Sequence, residues 1–111
     1  MKRRKLSFED HELRALQATL AMAEGLLVIE KTGELPNRDA ILALRQLVSH
    51  CHDDLTAMHA ILTKASPRSR ETRKMWGRFS ASLATFSTIT ADYRRVGVLP
   101  RPRPKRRRQK T

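Results

Sequence analysis

A chain of 111 residues has room for one small domain, and aromatic residues at 5 %, only four glycines and abundant Leu, Ala and charged residues favour long helices over a sandwich or barrel. The formal charge of +12 sits at the ends: Lys2, Arg3, Arg4 and Lys5 and seven cations beyond Pro100 account for all but one of the excess charges. One cysteine excludes an intrachain disulfide framework and fits a reducing cytosol, no apolar run follows the basic start as an export signal requires, and the most apolar stretch, Leu20 to Ile29, is about half the ~20 residues of a membrane span.

These limits predict an all-α, cytoplasmic protein that engages no membrane. Residues 1–6 form a basic N-terminal arm. Ser7 with Asp10 three residues on fits a capping box, and Leu13, Leu16, Leu20, Ala23 and Leu27 recur at helical spacing towards Gly33, predicting a first helix over about 8–31. Asn37 reads as a second N-cap; Ile41, Leu44, Val48, Cys51, Leu55, Met58 and Leu62 then alternate three and four apart, the seam of a long helix. Ser66-Pro67 reads as an N-cap with Pro at the first helical position, and Trp76, Phe79, Leu83, Phe86, Thr90 and Tyr93 carry a third helix to Gly97 and Pro100.

Helices two and three, each about 40 Å long and joined by a short turn, should form an antiparallel hairpin. Leu42, Leu47 and Ile61 lie beside the helix-two seam and widen its apolar stripe, while the small residues between Phe79 and Ala91 allow another helix to approach closely. Both features predict a homodimeric helical bundle built from the single helical domain 7–100. Residues 101–111, Arg-Pro-Arg-Pro-Lys-Arg-Arg-Arg-Gln-Lys-Thr, contain no apolar side chain and are expected to form a disordered tail.

The segment Ser49-His50-Cys51-His52-Asp53-Asp54 has the composition of a metal or catalytic site. On a helix, however, Cys51 falls in the apolar seam between Val48 and Leu55, and the two histidines beside it in sequence point elsewhere. No three ligands converge within one chain, and only His50 with Asp54 across a dimer axis would supply them. The expected reading is a core thiol surrounded by solvated polar residues, with no metal and no cofactor. No nucleophile has a base placed by a recognisable motif, and no Gly-rich phosphate loop is present, so no enzyme is expected.

Charge marks two candidate surfaces. Residues 6–63 carry a net −5 and residues 64–100 a net +6; in the latter Arg68, Arg70, Arg73, Lys74 and Arg78 crowd the start of helix three, the positive end of its dipole. An anionic partner is expected there, either the acidic first helix of the same chain, a phosphate or an acidic protein surface. In the tail, Arg101, Arg103, Lys105, Arg106, Arg107 and Arg108 would either bind nucleic acid through counterion release, with steep salt dependence and little sequence preference, or serve as a solubilising, electrostatically steering extension.

Asp39-Ala40-Ile41, Arg45 and Leu47-Val48 form a D-A-I-x-x-x-R-x-L-V pattern, and Gly97-Val98-Leu99-Pro100 a Gly-x-hydrophobic-Pro ending. Together these segments resemble the TraM family of quorum-sensing antiactivators over about residues 36–100. The resemblance implies a small helical dimer that binds a LuxR-type transcription factor and keeps it from its promoter, without catalytic residue or cofactor. The first helix and the cationic tail depart from that pattern. The binding chemistry expected is helix against helix, with Trp76 as anchor, Phe79, Leu83, Phe86 and Tyr93 as an apolar stripe, and Arg73 and Arg78 at the rim.

Overall fold

The computed structural model describes residues 5–100; the tail cations and most of the basic arm lie outside them. Within that range the chain forms α1 (Phe8–Thr32), α2 (Arg38–Lys64) and α3 (Arg70–Val96), with no strand among the described residues.

The first two helix starts follow from local chemistry. Ser7 Oγ accepts the Asp10 N–H at 3.1 Å while Asp10 Oδ2 accepts the Ser7 N–H at 2.9 Å, a reciprocal box that satisfies two donors a helix start leaves unpaired. Asn37 Oδ1 accepts the Ala40 N–H at 2.8 Å. Gly33 and Gly97 end α1 and α3 in the left-handed region, at φ 73° and 95°, where a side chain would be strained. The third start differs from the sequence expectation. Ser66 does not cap α3; its carbonyl accepts the Ser69 N–H, and Ser69 Oγ accepts the Glu71 and Thr72 N–H groups. The Ser66–Arg68 stretch is used to reverse the chain before the helix begins.

The helices run up, down and up. Cross-helix contacts pair His11 with Asp54 and Ala15 with Cys51, which makes α1 antiparallel to α2. His59 against Trp76 and His52 against Phe86 establish the expected antiparallel α2–α3 hairpin. Glu12 with Arg78, Met22 with Tyr93 and Glu30 with Arg95 set α1 parallel to α3. Thus α1 lies across one side of the hairpin.

The face that α1 inserts consists of Ala15, Ala18, Met22 and Ile29, with Gly25 between them. Against it lie Leu44 and Cys51 of α2 and Tyr93 of α3, while Leu55, Met58 and Leu62 of α2, Phe79 of α3 and Phe8 at the start of α1 are buried in the rest of the core. Small side chains let the helix axes come together. At Gly25 a Cβ would lie 2.9 Å from the Tyr93 hydroxyl and 3.0 Å from a Leu44 methyl. Tyr93 is fully buried, and its hydroxyl donates to the Met22 carbonyl at 2.5 Å. That bond satisfies the one polar atom the ring carries into the core. The ion pairs on either side, Arg78 with Glu12 and Arg95 with Glu30, are largely solvent-exposed and set register more than stability.

Gly25→Ala therefore tests the close approach. Helix propensity alone favours alanine by about 1 kcal/mol, but the rigid, bonded Tyr93 ring has no room to yield. The variant is expected to unfold at lower denaturant, with a net loss of about 1–2 kcal/mol; Tyr93→Phe, which removes only the hydroxyl, should lose about 1 kcal/mol.

Candidate functional site

On the side of the hairpin away from α1, α2 and α3 leave a groove. Along α2 its wall is His52, Thr56 and His59; along α3 it is Trp76, Phe79 and Leu83, with Phe86 continuing the row. These positions face each other because α2 presents residues 52 and 59 at seven-residue spacing and α3 presents 76, 79, 83 and 86 at three- and four-residue spacing. The rings are in mutual contact. His59 lies 5.6 Å from Trp76 in an edge-on arrangement and 5.7 Å from Phe79, Trp76 lies 5.9 Å from Phe79, and His52 lies 6.3 Å from Phe86. A cavity of about 200 Å³ opens among His52, Leu55, Thr56, His59, Phe79 and Leu83. Leu83 is 40 % exposed and Trp76 is half-buried, so the floor is hydrophobic and still reachable from solvent.

The structure divides the seven residues that the sequence assigned to a partner surface. Trp76, Phe79, Leu83 and Phe86 line the groove, and Arg73, three residues before Trp76, stands exposed at its end. Phe79 serves chiefly as floor, being 8 % exposed. Tyr93 and Arg78 belong to the opposite side of α3. Tyr93 is sealed against α1, while Arg78 forms an ion pair with Glu12 and lies 5.3 Å over the Phe8 ring. The acidic first helix is thus the anionic partner of Arg78. Lys64, Arg68, Arg70, Arg73 and Lys74 have no ionic partner among the described residues and form an exposed cationic pole at the α2–α3 turn, with Glu71 the acidic residue among them.

The Ser49–Asp54 segment turns its thiol and one carboxylate inward. Cys51 is fully buried, its thiol directed at the Ala15 carbonyl at 3.7 Å. Burial, with the Asp54 carboxylate second, pushes the Cys51 thiol up to about 11. His50, His52 and Asp53 are exposed, as expected. Asp54 is the exception. It is 5 % exposed, and its carboxylate accepts a hydrogen bond from His11 Nδ1 at 2.8 Å and lies 3.6 Å from Arg14 Nε. It therefore closes a contact between α1 and α2 within one chain. Among the described residues no three His, Cys, Asp or Glu side chains lie together as a metal set would require. Nor is any described helix long and apolar enough to cross a membrane.

The His11 contact was beyond sequence reasoning, since neither residue belongs to a motif and each is polar at a position that looks solvated. The histidine wall of the groove leaves a fainter trace: His52 and His59 share one stripe of α2. Compared with known proteins, the chain matches no family model, no curated protein and no solved structure.

Three measurements check this assignment. Tyr93 is likewise raised by burial, to about 12. Cysteine and tyrosine lose a proton on ionising, so a raised value in the fold means the unfolded chain ionises first. Stability is thus retained below about pH 9 and falls as pH rises through 9–11 for Cys51 and 10–12 for Tyr93. Thiol reagents should leave native Cys51 unlabelled at neutral pH, and Cys51→Ala should move the alkaline loss of stability to higher pH. His11→Ala, which leaves Asp54 buried without its nearer donor, should cost about 1.5–3 kcal/mol in denaturant unfolding.

Proposed function

We propose that this chain is a non-enzymatic antiactivator, which binds a LuxR-type transcription factor by accepting one of its helices in the α2–α3 groove and so keeps it from DNA. The observation that carries this reading is the groove itself. Trp76, Leu83 and Phe86 with His52 and His59 offer an aromatic, partly solvated row beside an arginine, the composition that dominates interface energetics. An amphipathic helix laid there would cover apolar surface that the chain's own core leaves open.

The TraM-like pattern is supported by one further contact. Arg45, the arginine of D-A-I-x-x-x-R-x-L-V, donates from Nε to the Val98 carbonyl at 2.8 Å. The two segments that carry the resemblance are therefore bonded to each other: the arginine pins the Gly-Val-Leu-Pro ending, with Val98 fully buried, against α2. Such a contact gives both motifs a shared structural reason to exist.

The cationic pole favours a second reading, a small nucleic-acid-binding accessory protein. Lys64, Arg68, Arg70, Arg73 and Lys74 are exposed and unpaired among the described residues. The tail residues Arg101 to Arg108 would add to them. Binding of that kind collapses as salt rises.

The readings separate on groove variants. Trp76→Ala and Leu83→Glu should each weaken capture of the regulator by at least about 30-fold, as hot-spot losses of about 2 kcal/mol do, while helical content stays that of the parent. Removing residues 101–111 should slow association and leave the complex stable. Calorimetry on purified, nuclease-treated partners is the measurement. Binding that survives both groove variants and vanishes with the tail or with moderate salt would transfer the function to nucleic acid.

A further inference from the structure

Helix α1 turns a row of large apolar side chains to solvent. Leu13, Leu16, Leu20, Leu27 and Val28 are each 53–61 % exposed, and they are five of the eight large apolar side chains left exposed among the described residues. At helical spacing the four leucines stand one above another, on the side of α1 opposite the buried Ala15, Ala18, Met22 and Ile29. The sequence stripe that announces this helix is the stripe its own fold does not use.

We propose that this row is a self-association face, through which two copies pack antiparallel by α1 about a two-fold axis near Leu20. The proposal does not rest on the partner reading of the α2–α3 groove, which lies on the other side of the bundle. It also differs from a dimer built on the α2 and α3 seams, most of whose residues, Cys51, Leu55, Met58, Leu62, Phe79 and Tyr93 among them, are buried within the chain.

Size is the first argument. The row exposes on the order of 500 Å² of apolar surface, near the upper range for the largest patch of a monomer. It also approximates the non-polar share, about 65 % in homodimers, of a standard half-interface of roughly 800 Å².

Self-complementarity is the second. With Leu20 facing Leu20, an antiparallel pair sets Leu13 of each copy level with Leu27 of the other, so leucine meets leucine at the centre and at both ends of the row, while Leu16 lies level with Glu24. The same Leu13 reaches the level of Val28, at the mouth of an apolar cavity of about 520 Å³ lined by Gly25, Val28, Leu35, Pro36 and Leu44. Charge agrees with this direction. Glu24 and Lys31 flank the row without an ionic partner within the described residues. Antiparallel packing brings the Gln17 amide of each copy beside Glu24 of the other, where its N–H can donate to the carboxylate. It also brings Lys31 towards the acidic first turn, Glu9 and Asp10. Parallel packing would set Glu24 level with Glu24 and align the two macrodipoles unfavourably. A lipid surface fits less well, because the residues bordering the row include Glu9, Asp10, Glu24 and Glu30, where an interfacial helix carries Lys and Arg.

The test is the solution mass of the full chain by sedimentation across a range of concentrations, repeated for Leu20→Glu and for Leu42→Glu, a control at an exposed leucine on the outer side of α2. The parent and the control should run at twice the 12.7 kDa chain mass. Leu20→Glu should keep its helical content and raise the dissociation constant at least about 100-fold. Mixing Gln17→Cys with Glu24→Cys chains should give a crosslinked heterodimer under mild oxidation, which antiparallel pairing allows. A parent that stays monomeric at all concentrations, a dimer indifferent to Leu20→Glu, or a monomer that binds neutral lipid vesicles through the same row would each overturn the proposal.

Discussion

The closeness of α1 to the α2–α3 hairpin is the constraint from which the rest of the molecule follows. The Tyr93 hydroxyl reaches the Met22 carbonyl, and Gly25 leaves no space for even a methyl group between that hydroxyl and Leu44. Helices this near one another can bury only small or slender side chains at the crossing. Ala15, Ala18, Met22 and Gly25 meet that condition and the leucines of α1 do not. Burying the small face compels the large face outward, so the packing of the core and the exposure of Leu13, Leu16, Leu20 and Leu27 are two consequences of one geometric choice.

A surface is thereby assigned to each side of the bundle. The hairpin's far side carries histidine and aromatic rings in a groove, and α1's outer side carries aliphatic leucines in a row. The chemistries differ as much as the positions. Rings with polar edges and an adjacent arginine suit a selective partner, whereas a row of leucines with self-complementary flanks suits a copy of itself. Unpaired cations at the α2–α3 turn add a long-range field that would speed encounter with any acidic surface, without deciding which surface that is.

Much of the fold was legible because helix ends are local chemistry. Ser7 with Asp10, Asn37, Gly33 and Gly97 each act within four residues of themselves, and the α2 seam buries Cys51, Leu55, Met58 and Leu62 as its spacing requires. Ser66 misled because Ser66 and Ser69 offer the same hydroxyl, and the choice depends on how much chain the reversal consumes. The orientation of α1 was not legible either: it has apolar residues on two sides, and hydrophobicity ranks the leucines above the alanines, whereas close approach ranks them below. Tyr93 and Arg78 likewise looked like interface residues because nothing local reveals that α1 would bury the first and pair its Glu12 with the second. His11 with Asp54 is a tertiary pairing without a sequence period.

The most direct test of this account is to exchange demands between the two faces of α1, comparing the thermal unfolding of Ala18→Leu and Leu20→Gln at one low protein concentration. The account predicts that enlarging buried Ala18 overpacks the crossing and costs about 1–3 kcal/mol, while polar substitution of exposed Leu20 leaves the folded chain nearly as stable as the parent. If Leu20→Gln unfolds the protein and Ala18→Leu is tolerated, the leucine face is the buried one and the arrangement of the three helices is wrong.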